Sequence, residues 1–277
     1  MPDGPNAPAP ISKSALRSAR RLLSRRGREE AGAFLVEGSQ AVREALGWKG
    51  RMSLLATSDP LRDQSFVRAA HDRGVRVVTL SEAEVSALSE TVTSQGLFAV
   101  CSSVAGTELP ALEHPGLVVI CAQVRDPGNA GTVIRCADAF GAAAVVLTKG
   151  SVDPHNAKTV RASVGSVFHL PVISGVDLED AVSWARAAGL QILAADGGGR
   201  SLDELAREGR LATPTAWLMG NEAWGLPDAE RVLADQVVGV PMWGAAESLN
   251  LSTAAAVCLY TTASAQRRDK DRGTALR

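Results

Sequence analysis

Short apolar segments alternate with helix-length amphipathic segments along most of the chain. Before residue 103, the apolar runs lie at Phe34–Val36, Ser53–Ala56, Val75–Leu80 and Leu97–Cys101. The helix-length segments lie at Ser14–Ser24, Ser39–Leu46 and Ser65–Arg73. Because strands that alternate with helices build α/β domains, the pattern predicts a small α/β domain over residues 11–102.

A second alternation begins at residue 117. Strands are predicted at Leu117–Ala122, Ala143–Leu147, Gln191–Ala195, Thr215–Met219 and Val237–Val240. Helices are predicted at Ala130–Phe140, Asp177–Ala188 and Leu249–Ala265. The strands are continuously apolar rather than alternating, which is typical of a parallel sheet covered on both faces. The sequence therefore predicts a second α/β domain over residues 117–277.

Two segments lack such a pattern. Residues 1–10 contain four prolines and little that can be buried, so we expect a flexible tail there. Residues 103–116 contain scattered Gly and Pro without a sustained period, which predicts a linker between the two domains.

Composition excludes several classes of protein. Hydrophobic residues make up 45% of the chain and charged residues 21%, as in a soluble globular protein. No apolar stretch approaches the about 20 residues that a membrane-spanning helix needs, and the N-terminus lacks an apolar signal region, so we expect a cytoplasmic protein with no membrane partner. The four cysteines form no CxxC pair, so we expect no metal site and no disulfide framework.

Basic residues are concentrated at the two ends of the chain, although the formal net charge is only −1. The N-terminal group consists of Lys13, Arg17, Arg20, Arg21, Arg25, Arg26 and Arg28. The C-terminal group consists of Arg267, Arg268, Lys270 and Arg272. Such a run is either a solvated helix face or a contact for nucleic-acid phosphates, and charge alone does not decide between them.

Polar loops follow three predicted strands of the second domain, where open parallel sheets bind ligands. In the first, DPGNAGTVIR, Asn129 can cap the next helix and Arg135 lies six residues later. A helix N-terminus and a guanidinium can together bind an anion, but an ordinary N-cap and a surface arginine would give the same spacing. The chain has no GxxxxGK[ST], GxGxxG, HExxH or GxSxG motif, which disfavours a dehydrogenase or P-loop enzyme.

The other two loops add glycines and short polar side chains. In the second, GNEAWGLP, glycines on both sides of Glu222 let backbone amides approach a ligand; the alternative is an ordinary loop with a solvated Glu222. The third, VPMWGAAESLN, leads into the C-terminal helix, where Ser248 or Asn250 can be the N-cap.

Together, the three loops resemble the ordered motifs of the SpoU/TrmH family of RNA ribose methyltransferases, in the SPOUT superfamily. The matching patterns are Asn129-x-Gly131-x-x-x-Arg135, Leu218-x-Gly220-x-Glu222-x-x-Gly225, and Pro241-Met242 followed by Glu247-Ser248-Leu249-Asn250. They extend over Val118–Tyr260, and Arg161–Val172 also resembles the family. Residues 13–102 resemble the family's ribosomal-protein-like RNA-binding domain through Phe34–Gly38 and Ser94–Ala99.

The resemblance implies a fold, a cofactor and a set of partners. The fold would be a parallel sheet with a deep C-terminal trefoil knot. The methyl donor would be S-adenosylmethionine. The substrate would be RNA, with rRNA, and 23S rRNA in particular, favoured over tRNA. The chain would form a homodimer through the knotted domains. The implied cofactor-binding residues are Leu218, Gly220, Val240, Met242, Ser248, Leu249 and Asn250, and the implied catalytic residues are Asn129, Arg135, Glu222, Ser248 and Asn250.

Chemistry limits the role of Arg135 within that resemblance. A guanidinium holds its proton strongly and is a poor base, so we favour Arg135 binding an RNA phosphate and stabilising the developing alkoxide, with proton abstraction as the alternative. The basic residues from Lys13 to Arg28 would then contact RNA phosphates. A tRNA methyltransferase and a non-catalytic RNA-binding or ribosome-assembly factor are the alternative functions, and the modified nucleotide and any role in antibiotic resistance stay open.

Overall fold

The computed structural model describes residues 8–275, with side chains up to residue 269. These residues form two compact units. The first contains residues up to Val104 together with His155–His169, and the second contains Ala105–Pro154 together with the chain from Leu170 onward. No helix within the described residues is long and apolar enough to cross a membrane.

Strands and helices alternate through both units. The strands are β1 (Ala9–Pro10), β2 (Ala33–Glu37), β3 (Met52–Thr57), β4 (Arg76–Thr79), β5 (Leu97–Ser102), β6 (Leu117–Cys121), β7 (Ala144–Thr148), β8 (Val172–Val176), β9 (Gln191–Ser201), β10 (Thr215–Met219) and β11 (Gln236–Gly239). The helices are α1 (Lys13–Arg21), α2 (Arg25–Ala31), α3 (Ser39–Gly47), α4 (Gln64–Asp72), α5 (Glu82–Leu88), α6 (Pro127–Ala139), α7 (Ala157–Ser163), α8 (Leu178–Ala187), α9 (Leu202–Arg207), α10 (Asp228–Arg231) and α11 (Leu251–Ala275).

The first unit is built on a mixed sheet with the order β1-β4-β3-β5-β2. Strand β5 is antiparallel to both β2 and β3, whereas β4 is parallel to β3 and β1. Most of the predicted flexible tail, residues 1–7, lies outside the described residues. Ala9 and Pro10, which we had expected in that tail, instead pair with Val78 and Thr79, since an edge strand tolerates a proline without an N–H.

The basic N-terminal helix is shorter than predicted. Helix α1 ends at Arg21 rather than Ser24. The Ser24 hydroxyl accepts a hydrogen bond from the Gly27 amide and caps a separate helix, α2. Ala19 and Leu22 are buried in the core of the first unit, so the segment is part of the fold rather than a free arm.

Residues 155–169 pack in the first unit, although the sequence predicted one contiguous second domain over residues 117–277. Phe168 is buried, with its ring 5.8 Å from the ring of Phe34 and 5.4 Å from that of Trp48. Arg161 forms a 2.9 Å ion pair with Glu37. The segment leaves the second unit because its apolar side chains are buried against the first sheet.

The second unit is built on a parallel sheet with the order β11-β9-β10-β6-β7-β8, which confirms the predicted parallel α/β architecture. Strands β6, β7 and β10 are buried along their whole length, as their continuously apolar sequences predicted. Strand β8 and helix α9 were not predicted, and β9 extends to Ser201, beyond its predicted end at Ala195. The trefoil knot implied by the resemblance stays a prediction.

Candidate active site

A cavity of about 860 Å³ lies at the carboxyl ends of β9, β10 and β11. Its walls come from the ends of these strands and from residues of the segments that follow, within 196–201, 220–225 and 240–254. Because β9 lies between β11 and β10 in the sheet, parallel strands bring these segments to one edge. This is the edge where open parallel sheets bind ligands.

The loop after β10 is a tight turn that needs glycine. The backbones of Asn221 and Gly225 exchange two hydrogen bonds of 2.9 Å, and Gly225 has a φ of +66°. A Cβ on Gly220 would lie 2.5 Å from the Gly225 carbonyl carbon. Asn221 is buried, and its Nδ2 donates a 2.6 Å hydrogen bond to the Gln123 carbonyl. The turn is therefore held in one shape at the cavity wall.

Glu222 joins this turn to the first motif. Its carboxylate lines the cavity and accepts hydrogen bonds from the Arg125 amide at 3.2 Å, the Asp126 amide at 3.1 Å and the Asn129 side-chain amide at 3.2 Å. Glu222 is exposed, and these three donors also hold its carboxylate in place.

Asp126, not Asn129, is the N-cap of α6. The Asp126 carboxylate accepts a 2.8 Å hydrogen bond from the Asn129 backbone amide, and Pro127 occupies the first helical position. The side chain of Asn129 is thereby released from capping. Its Nδ2 donates to Glu222, and its Oδ1 accepts a 3.0 Å hydrogen bond from Asn250 Nδ2.

Asn250 caps the long C-terminal helix α11. Its Oδ1 accepts hydrogen bonds from the Ser252 amide at 2.9 Å and the Ser252 hydroxyl at 2.7 Å. Its other side-chain atom, Nδ2, bonds Asn129, so one residue both starts α11 and ties the third motif to the first. Ser248, two residues earlier, lines the cavity.

Arg135 is a predicted catalytic residue that lies neither in the cavity wall nor in the Glu222–Asn129–Asn250 network. It is exposed on α6 and is not among the residues that line the cavity. Six helical residues correspond to about 9 Å along the axis and about one and two-thirds turns, which places Arg135 away from the Asn129 face. No ion pair or hydrogen bond of its guanidinium is found with any residue whose side chain is described.

Most of the predicted cofactor-binding residues line the cavity: Gly220, Val240, Met242, Ser248 and Leu249. Two do not. Leu218 is fully buried within β10, where its side chain belongs to the core of the second unit. Asn250 lies in the hydrogen-bond network next to the cavity rather than in its wall.

The sequence analysis missed one wall, which comes from the glycine-rich end of β9. Ala195, Asp196, Gly197 and Gly199 line the cavity. A Cβ on Gly199 would lie 2.4 Å from the Val237 carbonyl carbon, so β9 and β11 approach closely there only because residue 199 is glycine. The signal was visible as Asp-Gly-Gly-Gly directly after a predicted strand.

The basic group near the N-terminus divides into three sets. Arg28 is buried, and its guanidinium donates hydrogen bonds to the Leu22 and Leu23 carbonyls, so its predicted role in contacting RNA phosphates is wrong. Three others form ion pairs with α2 carboxylates: Arg21 and Arg26 with Glu30, and Arg25 with Glu29. Lys13, Arg17 and Arg20 are exposed on α1, and no ion pair of these three is found within the described part of the chain.

Cys121 lies at the end of β6, below the site, and does not have the properties of a nucleophile. Burial, with a smaller effect of the Glu222 carboxylate, raises the pKa of its thiol to about 12. The thiol therefore stays protonated at neutral pH, when only a thiolate would attack a substrate. Cys101, Cys121 and Cys258 are buried, as expected for small core residues.

The parallel sheet, with a cavity lined by the loops of the second and third motifs and with Asn129 of the first motif hydrogen-bonded to both, defines the class of protein. Residues 116–260 match the SpoU rRNA Methylase family, and residues 13–99 match the MRM3-like substrate binding domain. The chain therefore belongs to the SpoU rRNA methylase family.

Relatives in sequence and structure span most of the chain. The 23S rRNA (guanosine(2553)-2'-O)-methyltransferase RlmP of Bacillus subtilis is 35% identical over 87% of this chain and 92% of its own. The 23S rRNA (uridine(2479)-2'-O)-methyltransferase of Streptomyces viridochromogenes is 33% identical over 86% of this chain and 85% of its own. The structure of the SpoU methyltransferase AviRb from Streptomyces viridochromogenes in complex with AdoMet is 28% identical, covers 91% of this chain and 98% of that chain, and has a TM-score of 0.76.

Proposed function

We propose that this protein transfers the methyl group of S-adenosylmethionine to a ribose 2′-hydroxyl of 23S rRNA. The observation that carries the proposal is that the second and third motif loops line one cavity and that Asn129 of the first motif bonds both, through Glu222 and Asn250. The named activities of the RlmP and Streptomyces viridochromogenes relatives, which match over most of their length, support 23S rRNA as the substrate.

The cavity fits S-adenosylmethionine in size and lining. Its volume of about 860 Å³ lies within the range of pockets for small-molecule ligands. Gly220 leaves no side chain between the backbone and a ligand, while Val240, Met242 and Leu249 supply apolar surface for the faces of an adenine ring. Bound there, the cofactor supplies a methyl group on a sulfonium, and the protein supplies binding and orientation.

The hydrogen-bond network of Glu222, Asn129 and Asn250 positions the walls of the site and takes no direct part in the methyl transfer. Glu222 holds the amides of residues 125 and 126, Asn129 bridges Glu222 to Asn250, and Asn250 fixes the start of α11. These bonds keep the cavity walls in one arrangement before substrate arrives, which is how positioning lowers the barrier of a transfer reaction. Ser248 completes the pocket.

Arg135 is assigned to the RNA. Its exposed guanidinium has its donors available for a phosphate and for the oxyanion that forms as the ribose hydroxyl loses its proton. Proton abstraction by Arg135 stays a secondary hypothesis, because a guanidinium is a poor base.

A homodimer explains why Arg135 does not line the cavity of its own chain. Helices α6 and α11 pack together, and the ring of Tyr260 on α11, 61% exposed, contacts that of Phe140 at the end of α6. We assign this exposed aromatic face to a second copy, and the active site to the neighbourhood of that subunit interface. Light scattering at micromolar concentration should report twice the mass of one chain, and a monomer would contradict this assignment.

The decisive experiment measures methyl transfer from labelled S-adenosylmethionine to unmodified 23S rRNA, with tRNA transcripts in parallel, followed by mapping of ribose methylation. The expected result is a single 2′-O-methylated nucleotide in 23S rRNA. Cofactor binding measured by calorimetry separates an enzyme from a non-catalytic factor, since a ribosome-assembly factor would bind RNA without the cofactor. Modification of tRNA alone would overturn the substrate assignment.

The Arg135→Ala variant tests the assignment of Arg135. We expect a loss of transfer of about 100-fold or more, because an oxyanion-stabilising charge is removed, with cofactor affinity retained. Arg207→Ala is the matched control, because Arg207 is another exposed helical arginine of the second unit. A parallel loss of cofactor affinity in Arg135→Ala would contradict the assignment.

A further inference from the structure

Two tryptophans of the second unit are exposed, and both flank the cavity. Trp224 is 47% exposed and lies between the cavity residues Glu222 and Gly225. Trp243 is 86% exposed and lies between Met242 and Gly244, which also line the cavity. Trp side chains are enriched at interfaces, because they combine a large apolar surface with a polar N–H, so both are candidates for contact with a bound ligand.

Trp224 is the better organised of the two. It lies in the three-residue turn closed by the mutual hydrogen bonds of Asn221 and Gly225. The guanidinium carbon of Arg125 lies 4.8 Å from the centroid of the Trp224 ring, a cation–π contact. The Arg125 backbone amide is in turn bonded to Glu222, so the ring and the cation are fixed to the same wall of the site.

The pair leaves a specific set of groups available. Arg125 is exposed, and no hydrogen bond or ion pair of its side chain is found among the residues whose side chains are described. Its donors can therefore bind an anion while the guanidinium stays over the Trp224 ring. An aromatic face next to a free guanidinium matches a nucleotide, which carries a planar base and a phosphate.

We propose that Trp224, backed by Arg125, is a positioning residue that stacks on an unpaired base of the RNA substrate beside the cavity, while Arg125 holds the neighbouring phosphate. The inference rests on the proposed function. Proteins that recognise single-stranded RNA stack splayed bases on aromatic rings and arginine planes. Stacking here fixes the nucleotide relative to the cofactor cavity, so its effect falls on RNA rather than on cofactor.

The test compares Trp224→Phe, Trp224→Leu and Arg125→Met in the full-length protein. With unmodified 23S rRNA and saturating S-adenosylmethionine, Trp224→Leu should lower kcat/KM for RNA about 10- to 100-fold, the range of one lost base–aromatic stack. Trp224→Phe should stay within about threefold of wild type because phenylalanine keeps a ring to stack on. Arg125→Met should lower kcat/KM for RNA about 3- to 30-fold, whereas the matched control Arg207→Met should leave kcat/KM unchanged.

Binding measurements separate stacking from a structural role. The cofactor Kd of Trp224→Leu should stay within about twofold of wild type, because the tryptophan does not line the cavity. RNA should quench less tryptophan fluorescence in Trp224→Phe, which keeps the stack but removes the fluorophore.

Several outcomes would overturn the inference. A weaker cofactor Kd in parallel with the lost turnover would make Trp224 a support of the cofactor loop. Unchanged RNA kinetics would remove the stacking role, and a lower oligomeric mass with unchanged kinetics would assign the ring to a protein interface. Wild-type protein that transfers no methyl group to 23S rRNA would contradict the proposed function instead.

Discussion

Asn250 Nδ2 donates a 3.0 Å hydrogen bond to Asn129 Oδ1, and this bond joins two motifs that lie 121 positions apart in the chain. Asn129 Nδ2 donates in turn to Glu222, so one side chain contacts both the second and the third motif. An asparagine suits residue 129 because its side-chain amide carries a donor and an acceptor on the same carbon. It can therefore bond a carboxylate and another amide at once.

Because Asn129 and Asn250 share a hydrogen bond, we expect Asn129→Ala and Asn250→Ala to lower activity through the same contact but to differ in their effect on stability. Asn250→Ala removes the cap of α11 and should cost about 1 kcal/mol of stability. Asn129→Ala should cost less than about 0.5 kcal/mol, because Asp126 still caps α6.

Both single variants should lower kcat/KM for RNA, and the double variant should lose less than the product of the two factors, because each substitution breaks the same bond. Thermal unfolding and steady-state kinetics on the three variants test this cycle. Fully multiplicative losses would mean that the two residues act independently.

The site shows which parts of a cavity a sequence can specify. Motif order and glycine spacing identified the loops after β10 and β11, because turns and caps depend on nearby residues. Two features of the site were not predicted. One is that Asp126 rather than Asn129 caps α6, and the other is the cavity wall from β9. The first depends on which of two polar residues three positions apart caps the helix, and the second on a close approach between strands that are distant in sequence.

Gly220→Ala should disrupt the cofactor cavity. The added Cβ would lie 2.5 Å from the Gly225 carbonyl carbon, so the turn must shift. We expect a destabilisation of about 1–3 kcal/mol, as for overpacking, and at least about a tenfold loss of cofactor affinity by calorimetry. Gly47→Ala is the control, because a Cβ there meets nothing within 4 Å and its φ is not positive. Equal behaviour of the two variants would show that the Gly220 turn can adapt.

Arg161→Met should destabilise the first unit through Glu37. The buried Glu37 carboxylate accepts hydrogen bonds from three hydroxyls, of Ser89, Thr91 and Ser94, and forms an ion pair with Arg161. Leaving the Glu37 carboxylate unpaired should lower the free energy of unfolding by about 1–3 kcal/mol. This is less than the loss from breaking a fully buried pair, because the Arg161 side chain is 24% exposed.

Thermal unfolding of Arg161→Met should be compared with that of Arg25→Met, which breaks an exposed pair with Glu29 and should cost less than about 0.5 kcal/mol. Adding Glu37→Gln to Arg161→Met should recover part of the loss. If the double variant regains no stability, the loss comes from the packing of the Arg161 side chain rather than from the unpaired charge of Glu37.

The same ion pair shows why the domain division could not be predicted from the sequence. The apolar residues in 155–169 indicate that the segment is buried, but burial patterns do not say against which core. The identity of the partner strand, β2, depends on contacts more than 100 residues apart, such as that between Glu37 and Arg161. Periodicity therefore predicted the parallel sheet correctly and placed this segment in the second domain, whereas it packs in the first unit.

The exposed cations of α1 should account for the salt dependence of RNA binding. Replacing Lys13, Arg17 and Arg20 together with glutamine should reduce the slope of log K against log salt concentration by up to about 2, since each phosphate contact on single-stranded RNA contributes about 0.7. Removing the whole segment up to Arg28 would not test this, because it would also remove the buried Ala19 and Leu22.

The matched control replaces Arg21, Arg25 and Arg26 with glutamine, which changes the net charge by the same amount. These three arginines are already paired with the α2 carboxylates, so their charges are partly neutralised and the slope should change less. Equal slopes for the two triple variants would mean that RNA responds to the net charge of the N-terminal segment. A difference between them would assign the phosphate contacts to the exposed cations of α1.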